Sequence, residues 1–565
     1  MVSGVLRNRG TERDQSYVIG VDFGTLSGRA AVVNVKNGEV LASAIVEYTH
    51  GVMEDTLTAG DGQKLPQDFA LQVPSDYLSV FRDAVPRAVK DSGINASSVI
   101  GLGLDFTSST VVAAKWDGTP LCEFEEFRNR PHAYVKLWKH HGAHAQSQRM
   151  VEVARQRNEG WLARYGGIIS SELLVPKALE TLEKDPEVYA AADVYAEAMD
   201  WLVWRLTGTL VAAAGAAGYK RLYQDDADLS EEYLKALNPE FASFFTDKMS
   251  APVKPLGSRA GGLTAEAAEW TGLPEGIAVA VGNIDAHVTA PAVQGVLPGQ
   301  LVAIMGTSTA MVLSHPELHE VPGMFGVVNG GVVDGQWGYE VGQTAVGDIF
   351  AWFVDNCVPE AYAQEARERD VSVHVVLTDK AARLKVGQSG IIALDWHNGN
   401  RSVLMDPNLS GMMMGQTLRT RPEEQYRALL EATAFGVRRI RDSFIDSGIE
   451  VVEYIAAGGL IENAFLMQIY ADVLDMPISV ATTGQAGALG SAIFAAVAAG
   501  AHDSTADAAA AMGAKHDAAY APDPAQAKAY DALYAEYLEL HDYFGRGANE
   551  VMHRLRQMAR KAGTE

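Results

Sequence analysis

A short turn near the start of the chain carries residue types suited to binding phosphate. Asp22 ends an apolar stretch, and the turn after it carries glycine, hydroxyl and arginine side chains, at Gly24, Thr25, Ser27 and Arg29. Glycine lets a backbone approach a ligand closely, and the amides and hydroxyls of such a turn can donate to phosphate oxygens. The carboxylate suits a hydrated Mg²⁺, and the guanidinium can add a charge-assisted contact. An ordinary polar hairpin turn explains this stretch equally well.

A similar turn occurs in the second half of the chain. Gly306, Thr307 and Ser308 stand between two apolar stretches, and they share a Gly-Thr core with the first turn. Turns of this composition are common, so the second one alone is weak evidence. Together the two turns form a weak internal repeat, and they predict two loops that hold a polyphosphate across a cleft.

The segment from Val281 to His287 follows an apolar stretch and precedes a predicted helix. Asp285 within it can accept the proton of a substrate hydroxyl during phosphoryl transfer. An aspartate at this position can equally cap the helix, so the residue alone leaves both interpretations open. His287 is expected to pack rather than to bind a ligand.

A glycine pair, Gly458 and Gly459, ends a predicted strand just before a helix that begins near Asn463. A flat ring such as adenine can lie against glycines because no side chain intervenes, although a tight strand-to-helix turn is the preferred explanation of the pair alone. The small residues of segment 485–492 allow close backbone packing, which would suit a position beside the same nucleotide.

Three histidines, His140, His141 and His144, have a spacing that could bind a metal on a helix face. No acidic residue or cysteine is suitably placed near them in the sequence, so we expect a solvated helix instead. The two cysteines, Cys122 and Cys357, are far apart and form no CxxC pair, which argues against a zinc ribbon and against a disulfide framework.

The elements that must position these residues are hairpin strands mixed with helices. Stretches 17–22, 29–35 and 40–48 predict an antiparallel meander with an Asn37-Gly38 turn. Because no helix is predicted after the first turn, the start of a dinucleotide-binding domain is excluded. A further hairpin is predicted at 300–314, a strand-turn-strand unit at 101–114, and helices at 176–184, 200–206, 422–446 and 525–544. This pattern predicts an α/β protein of two similar lobes with a boundary near Val288.

Composition narrows the classes of protein further. The chain has 565 residues, 48% of them hydrophobic, and a formal net charge of −25. Such an acidic excess argues against a protein whose main partner is nucleic acid. The first sixteen residues lack an apolar segment, so we expect a disordered lead-in over 1–16, no secretory signal and a cytoplasmic location. The apolar stretch 486–501 is too short to span a membrane and predicts a packed helix.

Taken together, these residues resemble the FGGY carbohydrate kinases, which have the actin–hexokinase–heat-shock ATPase fold. The similarity covers about residues 17–543 and is carried by VDFGTLSGRA, GLDFTSST, VGNIDAHVTAPAV, IMGTSTAMVL, VPGMFGVVNGG and WGYEVGQTAVGDIFAWF. The late signature of the family is matched by Gly411-x-Met413-x-Gly415 followed by Glu431-Ala432-Thr433, and it departs at Gln416, where an aliphatic residue is usual. Within the family, the closest resemblance is to kinases that act on L-ribulose.

The resemblance implies an α/β fold of two ribonuclease H-like lobes around a central cleft. It implies an N-terminal lobe over 17–288, with the sugar site, the first phosphate loop and the catalytic base, and a C-terminal lobe over 289–565, with the ATP site and the C-terminal helices. It also implies ATP and Mg²⁺ as cofactors, a small ketopentose as substrate, no nucleic-acid or membrane partner, and a homodimer as the family's expectation.

The resemblance assigns expected roles to single residues. Asp22 matches the Mg²⁺-associated aspartate, and Asp285 matches the catalytic base, which moves the interpretation of Asp285 towards catalysis. The two phosphate loops are matched by Thr25, Ser27 and Arg29, and by Gly306, Thr307 and Ser308. The adenosine-binding turn is matched by Gly458, Gly459 and Asn463. Besides Asp285, the expected sugar contacts are Ser108, Trp138, Lys220 and Glu340.

The implied activity is ATP-dependent phosphorylation of L-ribulose at its C5 hydroxyl to L-ribulose 5-phosphate, in L-arabinose catabolism. A kinase of D-ribulose, L-xylulose or ribitol is an alternative, because discrimination depends on few hydroxyl contacts. A chaperone-like ATPase of the same fold is another, although no peptide-binding domain is expected after the second lobe. A regulatory protein without catalysis is opposed by the intact Asp22, Asp285 and 306–309 turn.

Overall fold

The computed structural model describes residues 16–562, so the predicted lead-in lies outside the described residues except for Ser16. The chain forms two compact units, and neither is continuous in sequence. The first unit contains residues up to 153, 170–294 and 485–514. The second contains residues 154–169, 295–484 and those from 515 onwards.

Each unit contains a seven-stranded sheet; the first unit also has a four-stranded and a two-stranded sheet, and the second a two-stranded one. The strands of the first unit are β1 Tyr17–Phe23, β2 Ser27–Asn34, β3 Val40–Glu47, β4 Leu71–Gln72, β5 Val99–Phe106, β6 Val111–Ala114, β7 Val135–Lys136, β8 Val194–Glu197, β9 Ala212–Ala213, β10 Val253–Lys254, β11 Arg259–Gly262, β12 Ala278–Ala280 and β13 Asn283–Ile284. Those of the second unit are β14 Gln300–Met305, β15 Thr309–His315, β16 Gly326–Asn329, β17 Trp337–Gln343, β18 Ile392–Leu394, β19 Met412–Met414, β20 Glu453–Ala457, β21 Ile478–Ala481 and β22 Lys515–Tyr520.

Helices cover the sheets. In chain order they are α1 Pro74–Ser79, α2 Val85–Ser92, α3 His144–Arg157, α4 Leu174–Lys184, α5 Pro186–Ala191, α6 Ala198–Thr207, α7 Ala214–Arg221, α8 Glu231–Leu237, α9 Phe244–Lys248, α10 Ala265–Thr271, α11 Asp285–Ala292, α12 Gly347–Cys357, α13 Glu360–Arg369, α14 Val373–Ala381, α15 Pro422–Asp446, α16 Ala464–Leu474, α17 Ala486–Ala498, α18 Thr505–Met512, α19 Pro524–Gly545 and α20 Val551–Ala562. The four helices predicted from periodicity are confirmed within α4, α6, α15 and α19. The packed helix predicted over 486–501 is confirmed as α17.

The main sheet of the first unit has the strand order β11-β12-β5-β1-β2-β3. Strands β1, β2 and β3 are antiparallel neighbours, so the predicted meander is confirmed. Gly38 in the predicted Asn-Gly turn has a φ of 69°, a left-handed conformation that glycine adopts without strain. Strand β5 runs parallel to β1, β12 and β13, which brings the carboxyl ends of four strands to one edge.

Helix α17 packs against this sheet at very short range. A Cβ at Gly20 of β1 would lie 1.8 Å from the carbonyl oxygen of Ala488, and a Cβ at Gly103 of β5 would lie 2.2 Å from that of Ser491. Only glycine therefore fits at these two positions, and the helix backbone lies directly on the strands. Buried alanines of α17 complete the core here with Val18 and other apolar residues of β1 and β2.

The main sheet of the second unit has the order β16-β17-β15-β14-β20-β21-β22. Strand β14 is antiparallel to β15 and parallel to β20, and β20 is parallel to β21. The same succession of neighbours occurs in the first unit at β2, β1, β5 and β12. The sheet topology thus supports the internal repeat predicted from the two Gly-Thr turns. The long helix α15 is largely buried in the core of this unit.

Candidate active site

The carboxyl ends of three parallel strands bring predicted site residues together in the first unit. The strand register sets Asp105 of β5 opposite both Asp22 of β1 and Asn283 of β13. Ser108 lies two residues beyond the end of β5, and Asp285 follows β13 directly. Because the strands end at one edge of the sheet, the predicted metal-associated aspartate, a predicted sugar contact and the predicted base all lie at that edge.

Asp22 shares a hydrogen bond with Asp105, a buried carboxyl that was not predicted as a site residue. Burial raises the pKa of both groups, and that of Asp105 rises well above its ordinary value, with the nearby Asp22 as the next cause. In Asp22 the hydrogen bond from Asp105 and the charge of Arg29 oppose the effect of burial. Ser491 Oγ donates to Asp105 Oδ2 at 2.6 Å. The pKa of Asp105 is therefore raised more strongly than that of Asp22, so Asp22 is the carboxyl of the pair that ionises first.

The first predicted phosphate loop connects β1 to β2 and is braced from several sides. Within the loop, the Gly24 amide donates to the Ser27 carbonyl at 2.9 Å. Tyr48 OH donates to the Gly24 carbonyl at 3.0 Å, and Gln72 Nε2 donates to the Thr25 carbonyl at 2.7 Å. Thr25, Ser27 and Arg29 remain partly exposed. The loop is therefore held in shape by its backbone, which leaves its side chains accessible to a ligand.

Two predicted sugar contacts, Trp138 and Lys220, are connected to these elements through a hydrogen bond and a ring contact. Trp138 Nε1 donates to Thr25 Oγ1 at 3.1 Å. Lys220, which is buried, lies near the end of α7, where its neighbour Tyr219 packs edge-on against His287 with ring centroids 4.8 Å apart. The packing role expected of His287 is confirmed, and it joins α7 to the helix that Asp285 begins.

Asp285 lies at the start of α11. Ile284 occupies the cap position of α11 and makes no side-chain capping bond itself. Asp285 is the first residue of the helix, and its Oδ1 accepts a hydrogen bond from the Ala286 amide at 2.8 Å. The partly exposed carboxyl stands at the edge where β5 and β13 end, and the choice between a capping and a catalytic role stays a prediction.

The second predicted phosphate loop connects β14 to β15 and is anchored by its backbone. The Gly306 amide donates to the Ser308 carbonyl at 2.8 Å. Amides at the start of α12 donate to the loop carbonyls, with Val346 N to Thr307 O at 2.8 Å and Gly347 N to Gly306 O at 3.0 Å. Thr307 and Ser308 are exposed. As in the first unit, backbone bonds fix the loop and leave its hydroxyls accessible.

The glycine pair lies beside this loop within the second unit. Ala457 of β20 is opposite Ile304 of β14, so Gly458 follows at the same edge as the loop. Gly458 has a φ of 92°, and a Cβ there would lie 2.5 Å from the Met305 carbonyl oxygen, so only glycine fits. Asn463 Oδ1 accepts from the Leu466 amide at 3.1 Å and caps α16. Asn463 thereby fixes the end of the turn that Gly458 begins.

Glu340 lies on β17 of the second unit and is paired with a residue that was not predicted. Arg401 Nη2 donates to Glu340 Oε1 at 3.0 Å. The guanidinium of Arg401 also lies 3.7 Å from the ring centroid of Phe325. These contacts fix the orientation of the Glu340 carboxylate. The two residues are 61 positions apart, and no local pattern around Arg401 signals the pair.

The solvated helix expected for the three histidines is wrong for His140. This residue precedes α3, is fully buried, and its Nε2 lies 2.9 Å from Glu180 Oε2. Burial lowers the pKa of His140 to about 4. His141 and His144 are exposed, as expected. Across residues 16–562 no group of three or more His, Cys, Asp or Glu residues is arranged to hold a metal ion.

Comparison with known families decides the class of protein. Residues 17–291 match the N-terminal domain of the FGGY family of carbohydrate kinases, and residues 301–499 match its C-terminal domain. The chain belongs to the FGGY family of carbohydrate kinases. As an FGGY kinase it is a phosphotransferase that uses ATP to phosphorylate a sugar.

Similar proteins cover nearly the whole of this FGGY kinase. A ribulokinase of Mycolicibacterium smegmatis is 56% identical over 546 residues, which are 97% of this chain and 97% of that protein. A ribulokinase of Halalkalibacterium halodurans is 48% identical and covers 96% and 97%. The crystal structure of xylulose kinase from Rhodospirillum rubrum superposes with a TM-score of 0.73 at 24% identity, over 93% and 98%. The last similarity shows the shared actin–hexokinase–heat-shock ATPase fold. In the part of this FGGY kinase that the structure describes, no helix is long and apolar enough to cross a bilayer.

Proposed function

We propose that this FGGY kinase transfers the γ-phosphoryl group of ATP to the C5 hydroxyl of L-ribulose, in L-arabinose catabolism, with Asp285 as the general base. The observation that carries the proposal is the position of Asp285 at the sheet edge where Asp22 and the Ser108 loop also lie. The ribulokinase name of relatives that are 56% and 48% identical supports the choice of sugar.

The proposed reaction requires little covalent chemistry from the protein. Asp285 accepts the proton of the C5 hydroxyl while the hydroxyl oxygen forms a bond to the γ-phosphorus. The bond from that phosphorus to the β,γ-bridging oxygen breaks, and ADP leaves with the electron pair. Catalysis is then mainly positioning and charge stabilisation.

The phosphates of ATP are assigned to the two loops. Thr25, Ser27 and Arg29 offer hydroxyl and guanidinium donors in the first unit, and Gly306, Thr307 and Ser308 offer amides and hydroxyls in the second. Gly458 and Gly459 are assigned to the adenosine, with Asn463 fixing the helix behind them. Ser108, Trp138, Lys220 and Glu340 are assigned to the sugar hydroxyls.

Asp22 is assigned to Mg²⁺. Its pKa is raised less than that of Asp105, so it is the first carboxyl of the pair to ionise, and a cation ligand must be ionised. A magnesium ion bound to ATP usually keeps several waters and takes one or two protein carboxylates, so a single ligand of this type fits. When bound, the ion neutralises charge on the phosphates. A homodimer remains a prediction from the family.

A substrate panel tests the proposal. ADP release with Mg²⁺ and ATP is measured for L-ribulose, D-ribulose, L-xylulose, ribitol and glycerol, and without a sugar. We expect the highest kcat/KM with L-ribulose and no comparable rate without an acceptor. A preference for another pentulose or for ribitol would move the assignment to that substrate. If glycerol were the best acceptor, the L-ribulose assignment would fail and only membership of the FGGY family would remain. A sugar-independent rate would favour a chaperone-like ATPase.

A further inference from the structure

A fully buried lysine lies behind the predicted sugar contacts. Lys177, on α4, is not itself among them. Its Nζ donates to the Ser109 carbonyl at 2.6 Å, to the Leu137 carbonyl at 2.7 Å and, at longer range, to the Lys136 carbonyl at 3.5 Å. An ammonium group has three donors, and it is costly to bury unless they are satisfied. Here backbone oxygens of two separate segments satisfy them.

The two segments are those that present predicted sugar contacts. Ser109 follows Ser108, and Leu137 precedes Trp138. The Lys177 side chain therefore connects the backbone next to Ser108 with the backbone next to Trp138. The ladder between β6 and β7 pairs these segments only at Val111 and Lys136, so the bonds of Lys177 are a substantial part of their connection.

The Ser108 loop has a conformation that needs support. Ser109 is buried and has a φ of 59°, in the left-handed region that residues other than glycine adopt at a cost in free energy. Its carbonyl is the one that accepts the shortest bond from Lys177. On the other side of the loop, buried Glu197 accepts from the Thr110 amide at 3.2 Å. The loop is thus held between Lys177 and Glu197.

Burial and the neighbouring charges of opposite sign act in opposite directions on the pKa values of Lys177 and Glu197. Burial lowers the pKa of Lys177 to about 7, and the charges of Glu197 and Glu172 oppose the effect. Burial also raises the pKa of Glu197 to about 8, with Asp200 adding to the increase and Lys177 and Lys220 opposing it. The charges of Lys177 and of the predicted sugar contact Lys220 therefore both lower the pKa of Glu197.

We infer that Lys177 is a positioning residue for the sugar: by tying the Ser109 and Leu137 carbonyls together it sets the separation of the Ser108 and Trp138 sides of the site. The inference rests on the proposed sugar site. It predicts that loss of the ammonium weakens binding of the sugar selectively, because the tied segments carry sugar contacts.

A second buried lysine provides a matched control. Lys136 Nζ donates to Glu180 Oε2 at 2.6 Å, to Thr181 Oγ1 at 2.8 Å and to the Lys177 carbonyl at 3.0 Å. All of these partners belong to α4, and none belongs to the Ser108 loop. Lys136→Met therefore removes an equally buried ammonium without releasing the Ser109 carbonyl.

The experiment compares Lys177→Met with Lys136→Met. We expect Lys177→Met to raise the KM for the preferred sugar at least tenfold while the KM for ATP stays within twofold. Lys136→Met should leave both KM values within twofold, although it leaves buried Glu180 without its ion pair and therefore lowers the melting temperature at least as much. Ser109→Gly in the Lys177→Met background should recover part of the sugar KM, because glycine adopts the left-handed φ without strain. Equal effects of the two lysine variants, or parallel changes in both KM values, would overturn the inference.

Hydrogen–deuterium exchange gives a readout that does not depend on which sugar is turned over. Lys177→Met should raise exchange in both 107–110 and 137–138, and Lys136→Met should leave 107–110 as in the wild type. Unchanged exchange at 107–110 in Lys177→Met would overturn the inference even if the substrate panel succeeds. If Lys177→Met is too unstable to purify, Lys177→Gln, which keeps a neutral donor, should show the same two effects at smaller size. A wild type without sugar kinase activity would instead refute the proposed function, and exchange would still decide whether Lys177 ties the two segments.

Discussion

Trp138 Nε1 donates a hydrogen bond to Thr25 Oγ1 over 3.1 Å, across 113 positions of sequence. The bond joins a residue assigned to the sugar with a residue assigned to the phosphates of ATP. The tryptophan is 39% exposed, so its ring is held by this bond while much of its surface faces outwards. The two substrates should therefore be coupled through a direct contact between their binding residues.

A double-mutant cycle measures this coupling. Trp138→Phe and Thr25→Val should each lower kcat/KM for the sugar about fivefold or more, since a hydrogen bond of this type contributes about 1 kcal/mol. The double variant should lose less than the product of the two single losses, with a coupling energy of about 0.5–1.5 kcal/mol. Strictly multiplicative losses would show that the bond does not join the two sites in the working enzyme.

Asp285→Asn tests the proposed base. Asparagine keeps the shape of the side chain but cannot accept the C5 proton, so kcat should fall by about 10²–10⁴-fold, the usual contribution of a general base. The KM values should change little, because asparagine can still accept the bond from the Ala286 amide and keeps the size of the side chain. A melting temperature close to that of the wild type is the control for intact folding. A variant that retains a wild-type kcat would refute the assignment.

Gly20→Ala tests the packing of α17 on β1. The added Cβ would lie 1.8 Å from the Ala488 carbonyl oxygen, so strand and helix must move apart. We expect a loss of about 1–3 kcal/mol in the free energy of unfolding, as for other overpacked cores. Gly160→Ala is the control, because a Cβ there meets no atom within 4 Å. Calorimetric melting should show a lower transition for Gly20→Ala only, and equal melting temperatures would contradict the close packing.

Asp200→Asn tests the cost of a buried carboxyl. Burial raises the pKa of Asp200 to about 7, although the Ala213 amide donates to its Oδ1 at 2.9 Å. The folded state thus retains a proton that the unfolded state releases at about pH 4. The free energy of unfolding therefore falls as the pH rises from about 4 to about 7, by up to about 1.4 kcal/mol per pH unit. Asparagine can accept the same bond and does not titrate.

Melting temperatures at pH 5 and pH 8 provide the measurement for this variant. The melting temperature of Asp200→Asn minus that of the wild type should be larger at pH 8 than at pH 5, because only the wild type has to ionise a buried carboxyl at the higher pH. The exposed Asp61→Asn serves as the control and should show no such difference. A constant difference between Asp200→Asn and the wild type at both pH values would mean that the carboxyl is ionised throughout this range.

Local patterns predicted the elements that depend on neighbouring residues. The β1–β2–β3 meander, the Gly38 turn and α15 follow from alternation, turn chemistry and helical spacing, and the structure has them within a few residues. The loops at Gly24 and Gly306 were visible for the same reason. Their roles and that of Asp285 came from the family resemblance, since a single turn of this composition has several explanations.

Partners distant in sequence could not be predicted in this way. Asp105 is bonded by Ser491, which lies 386 positions away, and His140 meets Glu180 forty positions later. Burial of a charged or polar side chain depends on such distant partners, whereas the spacing of residues along the chain indicates only the helix or strand in which they lie. The expectation of a solvated His140 failed because its acidic partner comes from α4.

The position of α17 has a consequence for synthesis of the protein. Strands β1 and β5 leave the ribosome within the first fifth of the chain, but the helix that covers their glycines is made only after residue 485. Until then this face of the sheet exposes apolar residues such as Val18 and Val33. A nascent chain that contains every assigned sugar residue of the first unit is thus still unable to complete its core, and it depends on avoiding aggregation until nearly nine-tenths of the polypeptide has been made.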